Sequence, residues 1–188
     1  MRPIDPLMDE HRRIERMVAI MRRESAHVRE VSLVDTVFVD AFVDYFRTYT
    51  DRTHHGKEEG ILFRALEGKP LSAEDRKTME GLIEGHRWAR RTVSELDEAK
   101  QAYLSGRYIA LHTVVEKLDA LVGFYPGHIQ LEDHTFFPAS MVYLTPQEQQ
   151  AMLNEFWEWD RNMIHEKYRS VVDELERKLA AMPEAPRR

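Results

Sequence analysis

Apolar residues recur along most of the chain at three- and four-residue spacing, in long stretches free of glycine and proline. That period belongs to amphipathic helices, and no strand-like alternation of useful length competes with it. The pattern predicts a first helix over 5–27, with Leu7, Ile14, Met17, Val18 and Met21 on its inner side. A second is predicted over 34–66, its stripe formed by Val37, Phe38, Phe42, Tyr45, Phe46, Tyr49 and Phe63. Gly68, Pro70 and Ser72 interrupt the period, and Ser72 with Asp75 three positions on reads as a capping pair for a third helix over 73–104. A fourth runs from about 107 to 140 and contains Pro126-Gly127, where a kink is expected. Thr145, Pro146 and Glu148 form a start signal for a fifth helix reaching about 181. Phe156, Trp157 and Trp159 read as its packing face. Short connections make consecutive helices antiparallel neighbours. The expected fold is all-α: an up-down four-helix bundle over 1–140, with an additional C-terminal helix over 141–188 packed on it and a frayed tail from Pro183.

Composition narrows the chemistry. The 188 residues contain no cysteine and nine histidines, and the formal net charge is -6. Thiolate zinc sites and iron–sulfur clusters are excluded, so any metal is held by nitrogen and oxygen. The acidic balance argues against a nucleic-acid partner. No apolar run is long enough to span a membrane, and the N-terminal residues lack a signal-peptide core, so a cytoplasmic location is expected.

The histidines are patterned. Five have glutamate four residues later: His11/Glu15, His54/Glu58, His55/Glu59, His112/Glu116 and His128/Glu132. On a helix these positions share one face, so each pair can offer a nitrogen and an oxygen to one metal. The segment starting at His54 aligns without gaps to that starting at His128, matching the histidine, the glutamate, a following acid, Phe63 with Phe137 and Ala65 with Ala139. Ordinary surface pairs would not carry their flanks with them. His55/Glu59 is the alternative pair on the second helix, and choosing it slips the repeat by one.

Counting residues from each turn at about 1.5 Å per residue places His11, His54, His86 and His128 at one height, with Glu58 and Glu132 one turn beyond their partners. Four imidazoles and two carboxylates suit iron or manganese, with the carboxylates as bridges of a two-metal centre. His112/Glu116 falls far from this layer and reads as solvent-facing, as do His27 and His134. His165 and Tyr168 overshoot the layer on a straight helix by roughly 12 Å, and only a bent helix would bring them over it. Arg90 reads either as a gate or anion contact or as a surface residue.

Glu10-His11, the block from His54 to Glu59, His86 after Glu84-Gly85, and His128 with Glu132 together resemble the hemerythrin-like, or HHE cation-binding, family over about residues 5–140. The resemblance implies a bundle holding two non-haem iron ions with an oxo or hydroxo bridge, manganese being the alternative. It also implies metal ligation by His11, His54, Glu58, His86, His128 and Glu132. Oxygen-carrying hemerythrins have a further third-helix histidine where this chain has Arg90. In this the chain looks more like bacterial members with six protein ligands, which are connected with dioxygen, nitric oxide or peroxide chemistry and with iron homeostasis. A small diatomic ligand or peroxide is the expected partner. Carrier, sensor and enzyme (peroxide disproportionation or nitric oxide reduction) remain open, and so does storage or delivery of iron. Ferritin itself is disfavoured, because the Glu-x-x-His motif it needs on two helices occurs only at Glu24-His27.

Overall fold

The computed structural model describes residues 1–161 and 165–180, and all its regular elements are helical. Helix α1 is Ile4–Val31 and stops where Ser32 turns left-handed (φ 56°), its amide donating to the Val28 carbonyl. Helix α2 spans 36–67 and starts at Asp35, whose carboxylate accepts from the amides of Val37 and Phe38. It is not uniform: α-helical Thr36–Tyr45 and Arg64–Glu67 flank π-helical Phe46–His55 and Glu58–Phe63. Helix α3 is Ala73–Leu104, capped by Ser72 accepting from the Asp75 amide as the capping pair predicts. Helix α4 spans 111–140, with a π-helical stretch, Glu132–Phe136, between Leu111–Leu131 and Phe137–Ser140. Pro126 sits inside Leu111–Leu131 without ending it.

Helix α5, Pro146–Arg161, opens with the reciprocal bonds of a capping box: Thr145 donates its amide to Glu148, and the Glu148 amide donates to Thr145 Oγ1. The single fifth helix expected to 181 is described as two, α5 and α6, His165–Ala180. The predicted frayed tail lies outside the described residues.

Helix α4 packs along α1 and α3, α3 packs on α2, and α2 touches α1. Helix α6 lies on α1 and α2, and α5 on the segment Glu58–Phe63. Two expectations of the pattern fail locally. Val37 is 64% exposed, because the inward positions Phe38, Phe42 and Tyr45 place the buried face one step away from it. Trp157 is also 64% exposed, and Phe156 alone of the trio is fully buried.

The apolar interior forms two clusters. One contains Ile14, Met17, Tyr49, Ala89 and Ile129, and the other Leu7, Ile61, Leu62, Leu82 and Phe136. On each long helix a polar residue sits between members of the two: His11 on α1, His54 and Glu58 on α2, His86 on α3 and Glu132 on α4, all buried. A charged seam thus cuts the core where hydrophobic burial alone would favour apolar side chains.

Candidate metal centre

The seam owes its content to the π-helical turns. In an α-helix consecutive side chains are about 100° apart, so His54 and His55 could not both face inward easily. The wider i→i+5 turn of Phe46–His55 changes this, and both rings are buried, at 1% and 2% exposure. His54 and His55 are therefore not alternatives. His11, His54, Glu58 and Glu132 form one group and His55, His86 and His128 another, with the donor atoms of each group within 4.8 Å of one another. All six residues read from the sequence fall in these groups, and His55 joins them.

The two glutamates lie between the groups. Glu58 presents one oxygen to His54 Nε2 at 3.3 Å and the other to His86 Nε2 at 3.4 Å. Glu132 presents Oε2 to His11 Nε2 at 3.3 Å, and Oε1 to His128 Nε2 at 3.1 Å and His86 Nε2 at 3.6 Å. Each of the two carboxylates thus faces imidazoles of both groups.

The outward Nδ1 atoms meet a second ring of acids that sequence reasoning did not assign. His11 Nδ1 lies 2.6 Å from Asp133, His54 Nδ1 3.0 Å from Glu10, and His86 Nδ1 2.7 Å from Glu59. Such contacts fix ring orientation and leave Nε2 as the donor. A signal for two of them existed in the repeat: the acid following Glu58 or Glu132, namely Glu59 or Asp133, reaches across to a histidine of another helix. His55 Nδ1 faces Asp51 at 3.4 Å.

Arg90 ties this ring together. It donates to Asp51 through Nε at 2.6 Å and to Glu59 through a terminal nitrogen at 2.8 Å, fastening the acids beside His55 and His86. With His55, Phe46 and Tyr125 it also lines a cavity of about 230 Å³.

The electrostatics are those of donors crowded together. Burial depresses His54 to about 4, helped by the neighbouring His11, and drives His55 down through burial and its histidine neighbours. Burial opposes the charged form of His11, but the bond to Asp133 and the facing Glu132 carboxylate win and raise it to about 9. Burial and the nearby Glu132 push Glu58 well above the carboxylate range. Burial works against ionised Glu132 too, yet the facing histidines hold it well below that range.

The donors fit a pair of cations. Both oxygens of Glu58, both of Glu132 and His11 Nε2 are buried without a hydrogen-bond partner. Burying carboxylates in this way costs several kcal/mol each unless a cation compensates them. A hard or borderline divalent or trivalent ion is what a mixed nitrogen–oxygen set selects. The walls are apolar rings: Phe137 stacks on His11 with centroids 5.6 Å apart, and Phe124 on His128 at 4.9 Å. Gly85 permits this approach of α3 to α4, since a Cβ there would sit 3.1 Å from Phe124 and 3.2 Å from His128.

Other candidates fall away. His112 and His134 are exposed. Tyr168 is buried, but it bonds Asp44 at 2.8 Å and packs on Tyr45 and Tyr49 rather than on the seam. The side chain of His165 lies outside what is described. No described helix is long and apolar enough to cross a membrane.

Searches of curated proteins and of solved structures return no match. The model of the hemerythrin HHE cation-binding domain matches residues 2–140, which contain every residue of the two donor groups. The chain belongs to the hemerythrin HHE cation-binding family.

Proposed function

We propose that the chain is a hemerythrin-like protein whose buried seam holds two iron ions and binds a small exogenous molecule: dioxygen, nitric oxide or peroxide. Residues 1–140 form the metal-binding unit as an antiparallel up-down four-helix bundle, with the described helices α5 and α6 packed against it. The alternation of the two core clusters supports that topology: α1 passes from Leu7 to Ile14, α2 back from Tyr49 to Ile61, α3 from Leu82 to Ala89, and α4 back from Ile129 to Phe136. One metal would be held by His11 and His54, the other by His55, His86 and His128, with Glu58 and Glu132 between them.

The observation that carries this reading is the set of buried, unbonded carboxylate oxygens facing imidazole nitrogens on either side. A bound iron pair would supply redox chemistry and an open position for an exogenous ligand. The chain's own part is to orient the imidazoles through Asp133, Glu10 and Glu59, to exclude water with Phe63, Phe124, Phe136 and Phe137, and to hold Glu132 ionised. His55 occupies a place that a six-residue set leaves to exogenous ligands, which favours reversible binding over turnover. Manganese is the alternative metal, and a peroxide- or nitric oxide-consuming enzyme the alternative activity.

Metal analysis with near-ultraviolet spectra before and after air, nitric oxide and peroxide tests the reading. Two irons per chain and a reversible spectral change are expected. His55→Ala is expected to retain about one iron per chain, whereas His54→Ala or Glu132→Ala strips most of both while helicity persists. Full occupancy in all three variants would contradict the assignment.

A further inference from the structure

We infer that helix α5, outside the matched family domain, is a working part of the metal centre: Asp160 holds the Lys57 ammonium on its outer side while Glu10 shares itself between Lys57 and His54, so that Asp160 and Lys57 are positioning residues for the His54 ligand. This rests on the metal reading above.

Lys57 precedes Glu58 and is completely buried. A buried ammonium is tolerated only with close anionic partners, and Lys57 has two, from different helices. It donates to Glu10 of α1, and its Nζ is 2.8 Å from Asp160 of α5. Phe156 of the same α5 turn lies under the ammonium, its ring centroid 5.7 Å from Nζ. The other oxygen of Glu10 faces His54 Nδ1 at 3.0 Å. A chain of charge-assisted contacts therefore runs Asp160–Lys57–Glu10–His54, from a partly exposed carboxylate to the inner face of the seam.

An independent contact seats α5 at the same place. Trp159 lies against the glycine pair Gly56 and Gly60, which flank Glu58 on α2. A Cβ on Gly56 would come within 2.6 Å of Trp159 Cζ2, so only a glycine admits the indole there without displacing it. Trp159 Nε1 donates to the Arg52 carbonyl at 3.1 Å, in the π-helical turn that carries both inward histidines. One turn of α5, from Phe156 to Asp160, thus grips the ligand-bearing segment through packing and through charge.

The direction of the effect follows from competition for Glu10. An ammonium satisfied in part by Asp160 lets Glu10 polarise the Nδ1–H of His54, which strengthens Nε2 as a donor. Without the outer carboxylate, Lys57 draws Glu10 toward itself and His54 becomes the weaker ligand. Its metal is then released faster, and the reduction potential of the pair shifts upward, since a poorer donor favours the reduced ion.

The test compares full-length wild type, Asp160→Asn and Asp160→Glu after iron loading. Release of iron to a competing chelator and the midpoint potential are both measured, with thermal unfolding of the metal-free proteins as a control on folding. Asp160→Asn should release iron about tenfold faster and show a higher midpoint potential, with Asp160→Glu restoring both and the metal-free unfolding transitions coinciding. Iron-loaded Asp160→Asn that matches wild type in both readouts overturns the relay and leaves the metal reading standing. Equal disturbance by Asp160→Glu also overturns it, since the carboxylate charge would then not be the agent. A wild-type protein that takes up no metal removes the centre and the relay together.

Discussion

Glu24 shows what a buried carboxylate does here when no partner faces it. It lies in α1 with both oxygens buried and unbonded, far from the histidine groups. Burial, and then the nearby Asp35, raise it to about 7. Because its folded value stands above the ordinary value of 4.5, the native state holds the proton more tightly than the unfolded chain does. Its contribution is therefore present below about pH 4.5 and is lost as pH rises through 7. Glu24→Gln removes the titration. Metal-free Glu24→Gln should gain up to about 3 kcal/mol relative to wild type between pH 5 and pH 8. Denaturant midpoints at the two pH values measure this, and an identical difference at both would contradict it. Glu132 differs from Glu24 in its neighbours: it is as deeply buried, yet the imidazoles around it keep it ionised.

At the scale of elements, whatever depends on near neighbours in sequence was legible. The capping pairs Ser72–Asp75 and Thr145–Glu148 and the inward stripe of α1 are local, and the structure forms them as read. Residue counting at a constant rise brought His11, His54, His86 and His128 to one layer because the helices are long and their turns short. His55 was read only as an alternative to His54 because that counting assumes α-helical turns, and the π-helical stretch Phe46–His55 breaks the assumption at the site itself. Lys57 and Asp160 were missed for another reason: they lie 103 positions apart and meet only through the docking of α5, which no periodicity reports. Gly85 belongs to the same class. It marks the close approach of α3 to α4, where a methyl group would press on Phe124 and His128 at contacts tighter than ordinary packing. Gly85→Ala should improve local helix propensity by roughly 1 kcal/mol yet weaken metal retention by displacing His128. Chelator competition alongside thermal unfolding of the metal-free form separates the two effects. Retention equal to wild type would show that the His128 ring can yield without cost.

The molecule as a whole places its polar donors between two apolar clusters, so metal uptake and folding stability are coupled. The apolar clusters order the helices, and the helices hold the donors together even though like charges and neutralised imidazoles crowd there. That crowding sets how protons compete with metal. In the metal-free protein His11, raised to about 9, carries a proton at neutral pH, while burial and the nearby Glu132 favour the protonated form of Glu58. His54, near 4, and His55, depressed by burial and its histidine neighbours, are already neutral there. A metal ion requires all four deprotonated, so loading at pH 7 must expel the proton held by His11. Apparent affinity should therefore climb as pH rises toward 9 and fall steadily on acidification, with metal loss accelerating below about pH 6. Calorimetric titration of metal-free protein with ferrous ion in two buffers of different ionisation enthalpy reads the proton count directly. Net release of at least about one proton per chain at pH 7 is expected. Release should diminish in Asp133→Asn, because the bond from Asp133 is the foremost influence keeping His11 protonated. Uptake without proton release would mean that His11 stands deprotonated before the metal arrives, which the Asp133 contact and the facing Glu132 carboxylate both oppose.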